Sequence, residues 1–479
     1  MSIFAQKLRR CLWGLTCLQM WFWFFISATA WAQAQNGSSS QVGLSGAELA
    51  QMIRLNVERY TLSNGMTVLL HEDHSAPIFT YHQWYRVGSR DEEPGRTGLA
   101  HFFEHLMFKG TPRYGSRELD RLIQANGGTY NAFTSKDVTA YHTTLPAGKL
   151  ELIIDIEADR MRNLIFDEDE IASEREVVKE ERRQRVEDSV LGSLSEALWR
   201  TVFRVHPYRW PVIGYMADLE AATMEDLKAF YRRFYAPNNS VVVISGSFNS
   251  RQAKGLIERH FGSIPAGEPI ERVYPEEPAQ SGQRSLSLRR DVQSPTVAVA
   301  FRTTDVMDPD IFALDILAGV LGWGDSSRLH RRLVRREQTV TSISASSQNL
   351  ASSGVFQITA HLKPGVNSEQ VLRSIYGEIY RARNSRVSED ELERVKNQLM
   401  KSYVDAMKTI EGKARVLAYA EVVYGSYTRI FEDLARFAEV TAEQVQEVAE
   451  KYLQPHQRSV IQVLPRAGAA APSSPAEES

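Results

Sequence analysis

Cysteine is almost missing from this chain. It has two, Cys11 and Cys17, and none in the 447 residues after Ala32. That excludes a disulfide framework, a thiolate metal site and a cysteine nucleophile from everything downstream of the leader. No basic stretch is interleaved with aromatic residues, so nucleic acid is not an expected partner. Residues after 32 contain no long apolar run, so no stable membrane span is expected once the leader is gone. What remains is globular in composition, 43% hydrophobic and 24% charged, and long enough to hold its fold by its core.

The leader itself has three parts. MSIFAQKLRR carries Lys7, Arg9 and Arg10 and no acid; an apolar, aromatic stretch follows; Ala30-Trp31-Ala32 supplies a small-x-small cleavage pattern. This is the layout of a secretory signal peptide over residues 1–32, with an uncleaved membrane anchor as the alternative, and it implies an exported, periplasmic protein. Cleavage would leave 53 basic against 59 acidic residues. Residues 33–52 read as an N-terminal extension. The Pro-containing, small-residue stretch 467–479 reads as a disordered tail.

The chain repeats itself. TMEDLKAFYRRFYAP (223–237) and TAEQVQEVAEKYLQP (441–455) are both amphipathic helical patterns opened by Thr and closed by Pro, 218 residues apart. Each leads into a strand-like run, SVVVISG and SVIQVLP. Pro77 and Pro295 open two other strand-like runs at the same offset. Two unrelated landmarks with one offset imply a duplicated unit. Within it, ERYTL and MTVLL flank Asn64-Gly65 and read as a hairpin with a type I′ turn. TGLAHFFEHLMFKG, LELIIDIEADRMRNL and DEDEIASEREVVKEERRQRV read as helices, and TYNAFTSKDVTAYHTTLP as one alternating strand. Runs of strands broken by paired helices give an α+β fold of two duplicated domains, each a mostly antiparallel sheet with packed helices. The expected bounds are 53–261 and 286–466, with a Pro- and Gly-rich linker over 262–285.

Residues 101–111, HFFEHLMFKGT, carry the chemistry. His101 and His105 project from one helical face a turn apart, a spacing at which two imidazoles reach one tetrahedral ion. Glu104 lies beside them, free to handle water rather than bind metal. A third ligand, carboxylate or histidine, must come from another element. On the acidic helix 167–188, Glu174 and Glu181 share a face two turns apart, but spacing alone does not single that helix out. The other nine histidines show no such pattern and read as structural or surface residues. The cluster Arg328, Arg331, Arg332, Arg335 and Arg336 reads as a charged helix face, a partner interface or a site for acidic substrate.

HxxEH inverts the order of the HExxH zinc motif. Together with LSNGMTVLLHED, VGSRDE, GGTYNAFTSKDVTAYH, EREVVKEE and HPYRWPVIG, in this order, it resembles the insulinase/pitrilysin family of zinc metallopeptidases, in particular the processing-peptidase-like bacterial members. The resemblance covers about residues 53–466. It implies one Zn2+ per chain held by His101, His105 and Glu181, with Glu104 as general base and Glu174 as its supporting glutamate. It also implies peptide binding along Asn131, Ala132, Phe133 and Thr134, and a clam-shell half made of a zinc domain followed by a non-catalytic homologous domain. The sequence departs from the family where an Arg and a Tyr are usual: the matching positions are Val334 and Thr341. That implies a heterodimer in which a homologous subunit lacking HxxEH supplies the Arg/Tyr pair. The competing expectation is a non-catalytic peptide-binding or structural subunit of the same fold.

Overall fold

A computed structural model describes residues 55–116 and 118–466; the leader, the extension up to residue 54 and the tail lie outside the described residues. In the first half the strands are β1 (Glu58–Thr61), β2 (Thr67–Glu72), β3 (Ile78–Tyr85), β4 (Thr129–Thr134), β5 (Thr139–Pro146) and β6 (Ser240–Gly246). Its helices are α1 (Leu99–Leu106), α2 (Glu118–Ala125), α3 (Leu150–Asn163), α4 (Glu168–Arg182), α5 (Val190–Val202), α6 (Met216–Ala221), α7 (Met224–Phe234) and α8 (Ser250–Phe261). The second half has β7 (Arg284–Arg290), β8 (Thr296–Thr303), β9 (Val340–Gln348), β10 (Gly354–Leu362) and β11 (Ser459–Pro465). Its helices are α9 (Asp310–Gly322), α10 (Ser368–Asn384), α11 (Glu389–Ala406), α12 (Ile410–Tyr419), α13 (Arg429–Glu439) and α14 (Ala442–Tyr452).

The duplication is visible strand by strand. The first sheet runs β1-β2-β6-β3-β5-β4 and the second β7-β11-β8-β10-β9. Without β1 the two orders coincide, and in each a single parallel pair, β2–β6 or β7–β11, joins otherwise antiparallel neighbours. Pro77 and Pro295 sit directly before β3 and β8. α7 and α14 both begin with a reciprocal Thr cap, Thr223 with Asp226 and Thr441 with Gln444, which satisfies amide groups the first turn leaves free. Between α8 and β7 the chain has no helix or strand.

Two local expectations change. The β1–β2 loop spans Leu62–Met66, with Gly65 N–H donating to the Leu62 carbonyl at 2.9 Å. Only Gly65 has positive φ, at 87°, so the turn is of type I with a glycine bulge; type I′ would require Asn64 to share that conformation. The stretch 129–146 is two strands, not one. Ser135 N–H donates to the Val138 carbonyl at 2.8 Å and folds the chain back, so that β4 becomes an edge strand lying on β5.

The two halves exchange cover. α5, from the first half, lays Leu194, Leu198, Trp199 and Val202 against Ala298, Ala300, Val355 and Ile461 of the second sheet. α12, from the second half, lays Ala414, Leu417 and Ala418 against Leu69, Trp84, Val241 and Val243 of the first. Each sheet therefore buries much of its second apolar face against a helix of the other copy. At about 25 cal/mol per Å² of apolar area buried, such a face is a major part of each half's stability.

Candidate metal centre

α1 is placed by its N-terminus. Gly98 caps it at φ 89°, where a Cβ would also stand 2.6 Å from the Ile213 carbonyl oxygen. The buried Glu92 carboxylate accepts from the amides of Gly98 and Ala100, both at 2.8 Å, answering two of the donors a helix start leaves unpaired. Leu99, Phe102, Phe103 and Leu106 enter the core. That fixes the rotation of α1 and turns His101, Glu104 and His105 toward α4 and β4. α4 is capped by the Asp167 carboxylate, which accepts from Glu170 N–H at 2.9 Å. Its Ile171 and Val178 are core residues, and the adjoining face presents Glu174 and Glu181 to α1.

One atom from each of His101, His105 and Glu181 lies within 4.8 Å of the other two. Glu181 Oε2 stands 3.3 Å from His105 Nε2 and 3.8 Å from His101 Nε2. Two imidazole nitrogens and a carboxylate oxygen, brought together from two helices, are a donor set that suits zinc. The far side of His105 fits too: its Nδ1 is 2.7 Å from Glu174 Oε1, the kind of support that orients a metal-binding imidazole. Glu174 is held in turn by Lys109, whose Nζ is 2.5 Å from Oε2, and Glu181 by Arg185 at 2.6 Å. Sequence reasoning missed Lys109 and Arg185. Each lies four residues after a site residue, His105 and Glu181, just past the end of its helix; that spacing was the available signal.

These contacts set the charges. Burial opposes ionisation of Glu181, but His101, His105 and Arg185 outweigh it and hold the carboxyl down at about 2. Burial likewise opposes charge on Glu174, and His105 and Lys109 again prevail, lowering it. In the metal-free state burial works against protonating both histidines. It lowers His101, whereas Glu174 and Glu181 lift His105 to about 10. A metal would displace that proton, because it binds the neutral ring.

Strand alternation divides the four expected substrate residues. Ala132 is a core residue of the α1 side, and Thr134 Oγ1 donates to Glu104 Oε2 at 2.6 Å. Phe133 points the other way, edge-on to Trp84 at 5.2 Å and beneath Arg415 of α12. Asn131 precedes Ala132 and turns its Oδ1 back to the Ala132 amide, 2.7 Å away. The four share an edge backbone, therefore, but only Thr134 touches the reactive face. Val334 packs against the second core, and Thr341 Oγ1 donates to the His361 carbonyl at 3.2 Å.

The fold and the site have relatives. Residues 67–214 match the family model described as insulinase (peptidase family M16), and residues 221–399 match the one described as peptidase M16 inactive domain. An uncharacterised zinc protease of Mycobacterium leprae is 30% identical over 410 residues, which are 82% of this chain and 89% of that protein. A probable mitochondrial-processing peptidase subunit beta of Arabidopsis thaliana is 28% identical over 404 residues, 82% of this chain and 75% of that one. The crystal structure of a protease from Helicobacter pylori superposes with a TM-score of 0.81 at 28% identity, covering 86% of this chain and all of the other. With the inverted motif on α1, the same double sheet and matches spanning both halves, the chain belongs to the insulinase family of peptidases, family M16.

Proposed function

We propose that this chain is an exported, periplasmic zinc metalloendopeptidase that cleaves peptides or small unfolded proteins. The observation that carries the reading is the convergence of His101, His105 and Glu181 beside a Glu104 that binds none of them and is held by Thr134. A bound zinc would supply Lewis acidity toward the scissile carbonyl and toward water. Glu104 would take the proton from the attacking water and hand it to the leaving amine. Thr134, at the end of β4, keeps the Glu104 carboxylate aimed. The open edge of β4 offers backbone N–H and C=O groups to an extended peptide, which recognises main chain more than sequence.

The chain is proposed to act as the zinc-bearing subunit of a heterodimer. The relative named as a subunit beta supports that reading, as do Val334 and Thr341, one apolar and the other already bonded, where the family carries Arg and Tyr. The competing reading, a non-catalytic subunit, leaves the intact Glu104 without a task. A quenched fluorescent peptide library, incubated with zinc-loaded chain alone and with a homologous subunit bearing the Arg/Tyr pair, separates them. Cleavage that vanishes in Glu104→Gln supports the enzyme. No cleavage in either mixture, with zinc bound, would overturn it.

A further inference from the structure

The arginine cluster of the second half is not part of the centre just described. It lines a groove of about 530 Å³ between the segment 328–336 and the C-terminal part of α10. Five guanidinium groups face it, those of Arg328, Arg331, Arg332, Arg336 and Arg381. Three carboxylates hold four of them in place. Glu391 receives Arg328 at 2.5 and 2.9 Å and Arg331 at 3.3 Å. Glu378, buried at the floor, receives Arg332 and Arg381. Glu337 receives Arg332 at 2.7 Å and also Ser374. Arg336 makes no ion pair among the described residues. Five cations against three anions leave an excess of two positive charges on one small concavity.

The groove is also built for its arginines. Gly377 on α10 makes room for Arg332: a Cβ there would stand 2.9 Å from its Nη1. In the first copy the matching helix α3 begins 218 residues earlier, and the positions that match Glu378 and Arg381 are Arg160 and Asn163. There Arg160 is buried and held by Glu157 at 2.6 Å. The arrangement of exposed arginines around Glu378 is therefore not repeated at the matching positions of α3.

We infer that this groove binds a compact ligand through one phosphate dianion, carried either by a free phosphorylated molecule or by a lipid headgroup. Guanidinium forks match phosphate oxygens, and carboxylates that already grip one side of each fork orient the remaining N–H donors. A phosphate dianion cancels the excess of two charges within one groove. The acidic side chains of an extended peptide are spaced about 7 Å apart on one face, and fewer of them fit.

The test titrates zinc-loaded protein with fructose 1,6-bisphosphate by calorimetry. It also co-sediments the protein with phosphatidylcholine vesicles, with and without phosphatidic acid. Saturable binding is expected, weakening with added salt and falling at least tenfold in R336A/R381A and in the charge reversal R336E. Arg336 is exposed and outside the ion pairs, so in R336E the unfolding midpoint without ligand stays put, and R336E alone suffices where R336A/R381A, which also takes a partner from the buried Glu378, is destabilised. Binding to the sugar bisphosphate and not to vesicles assigns a soluble ligand; binding to phosphatidic acid vesicles assigns a headgroup. Equal affinity of wild type and both variants overturns the inference. So does the absence of binding in both arms, or tighter binding of a hexaglutamate peptide than of the bisphosphate.

Discussion

The helix pairs α1/α4 and α9/α11 occupy the same place in the two copies and do opposite things with it. In the first, α1 and α4 meet through His101, His105, Glu174 and Glu181. In the second, α9 carries no histidine, and α11 meets it through Leu392, Val395 and Leu399. Gly319 lets that pair close up, and Gly322 lets α9 close on β9. A Cβ on Gly319 would stand 2.4 Å from Val395 Cγ1, and one on Gly322 would stand 2.2 Å from the backbone nitrogen of Ala345 in β9. Asp315 of α9, half-buried, is pushed up to about 7 by burial, against hydrogen bonds from Asn349 and Ser347. One copy leaves room for polar groups that must be paired; the other fills the same room with close packing. A duplicated frame can therefore divide stability and chemistry between its halves.

The sharpest way to break this division is to neutralise one half-buried carboxylate in each copy. Glu104→Gln is expected to lower peptide turnover by about 10²–10⁴ while zinc content, read by atomic absorption, stays near one per chain. Asp315→Asn, on the helix of the copy that lacks the motif, is expected to leave turnover within about twofold, because burial already keeps about half of that carboxyl neutral at pH 7 and no site residue lies on its helix. If the two losses were comparable, the second copy would be taking part in the chemistry.

Next in size is the support behind the site. Glu174→Gln removes the charge that binds His105 Nδ1 and Lys109 Nζ, and zinc affinity should fall by about 10–100-fold in a chelator competition assay. Unchanged affinity would make Glu174 a passive neighbour.

Acid should loosen the exchange between the copies. His82 and His142 face each other on β3 and β5, rings stacked at 5.3 Å, under α12. Trp84 Nε1 donates to His82 Nδ1, and α12 brings Arg415 and Glu411 over the pair. Burial lowers both rings, then each other's charge and Arg415 for His82, and Arg415 against the opposing Glu411 for His142, which reaches about 4. The unfolded chain titrates near 6.5, so it binds more protons than the fold between there and about 4. Stability is complete above pH 6.5 and declines as pH falls through that window, by on the order of 3 kcal/mol. Urea midpoints at pH 7.5 and 5 should differ, and differ less in His142→Phe. An unaltered pH dependence in that variant would exonerate the pair.

Close packing in the second copy predicts a smaller, one-sided effect. Gly322→Ala forces a methyl against the backbone of β9 and should cost about 1–3 kcal/mol in urea unfolding. α1 has alanine and large side chains along its whole length and no glycine to fill.

What the sequence made readable follows from range. The metal motif lies within five residues of one helix, and the duplication shows because caps and prolines are local marks that recur at one offset. Glu181 was found only through the resemblance, since nothing within 70 residues of His105 distinguishes its helix from a solvated acidic face. The turn inside 129–146 was hidden because Lys136, a residue that reads as exposed, is buried. Its ammonium donates to the carbonyls of Tyr208 and Trp210, and burial lowers it to about 7. Those partners lie more than 70 residues away. The exchange of α5 and α12 was unreadable for the same reason: an amphipathic pattern says that a face is covered, not by which sheet.

That exchange governs the smallest effect. Thr223 and Thr441 cap equivalent helices with the same reciprocal bonds, and replacing either by Ala should cost about 1 kcal/mol. If each copy folded by itself, Thr441→Ala would move a transition belonging to the second copy alone. Each sheet, however, is completed by the other copy's helix, so loosening one exposes apolar faces in both. Tryptophan fluorescence, from Trp84, Trp199 and Trp210 in the first half and Trp323 in the second, and far-ultraviolet dichroism over the whole chain should therefore shift together, and by the same amount, in Thr223→Ala and Thr441→Ala. Separate shifts would mean that the covering helices are ornaments on two independent cores, and the division between the copies would then be one of stability as well as chemistry.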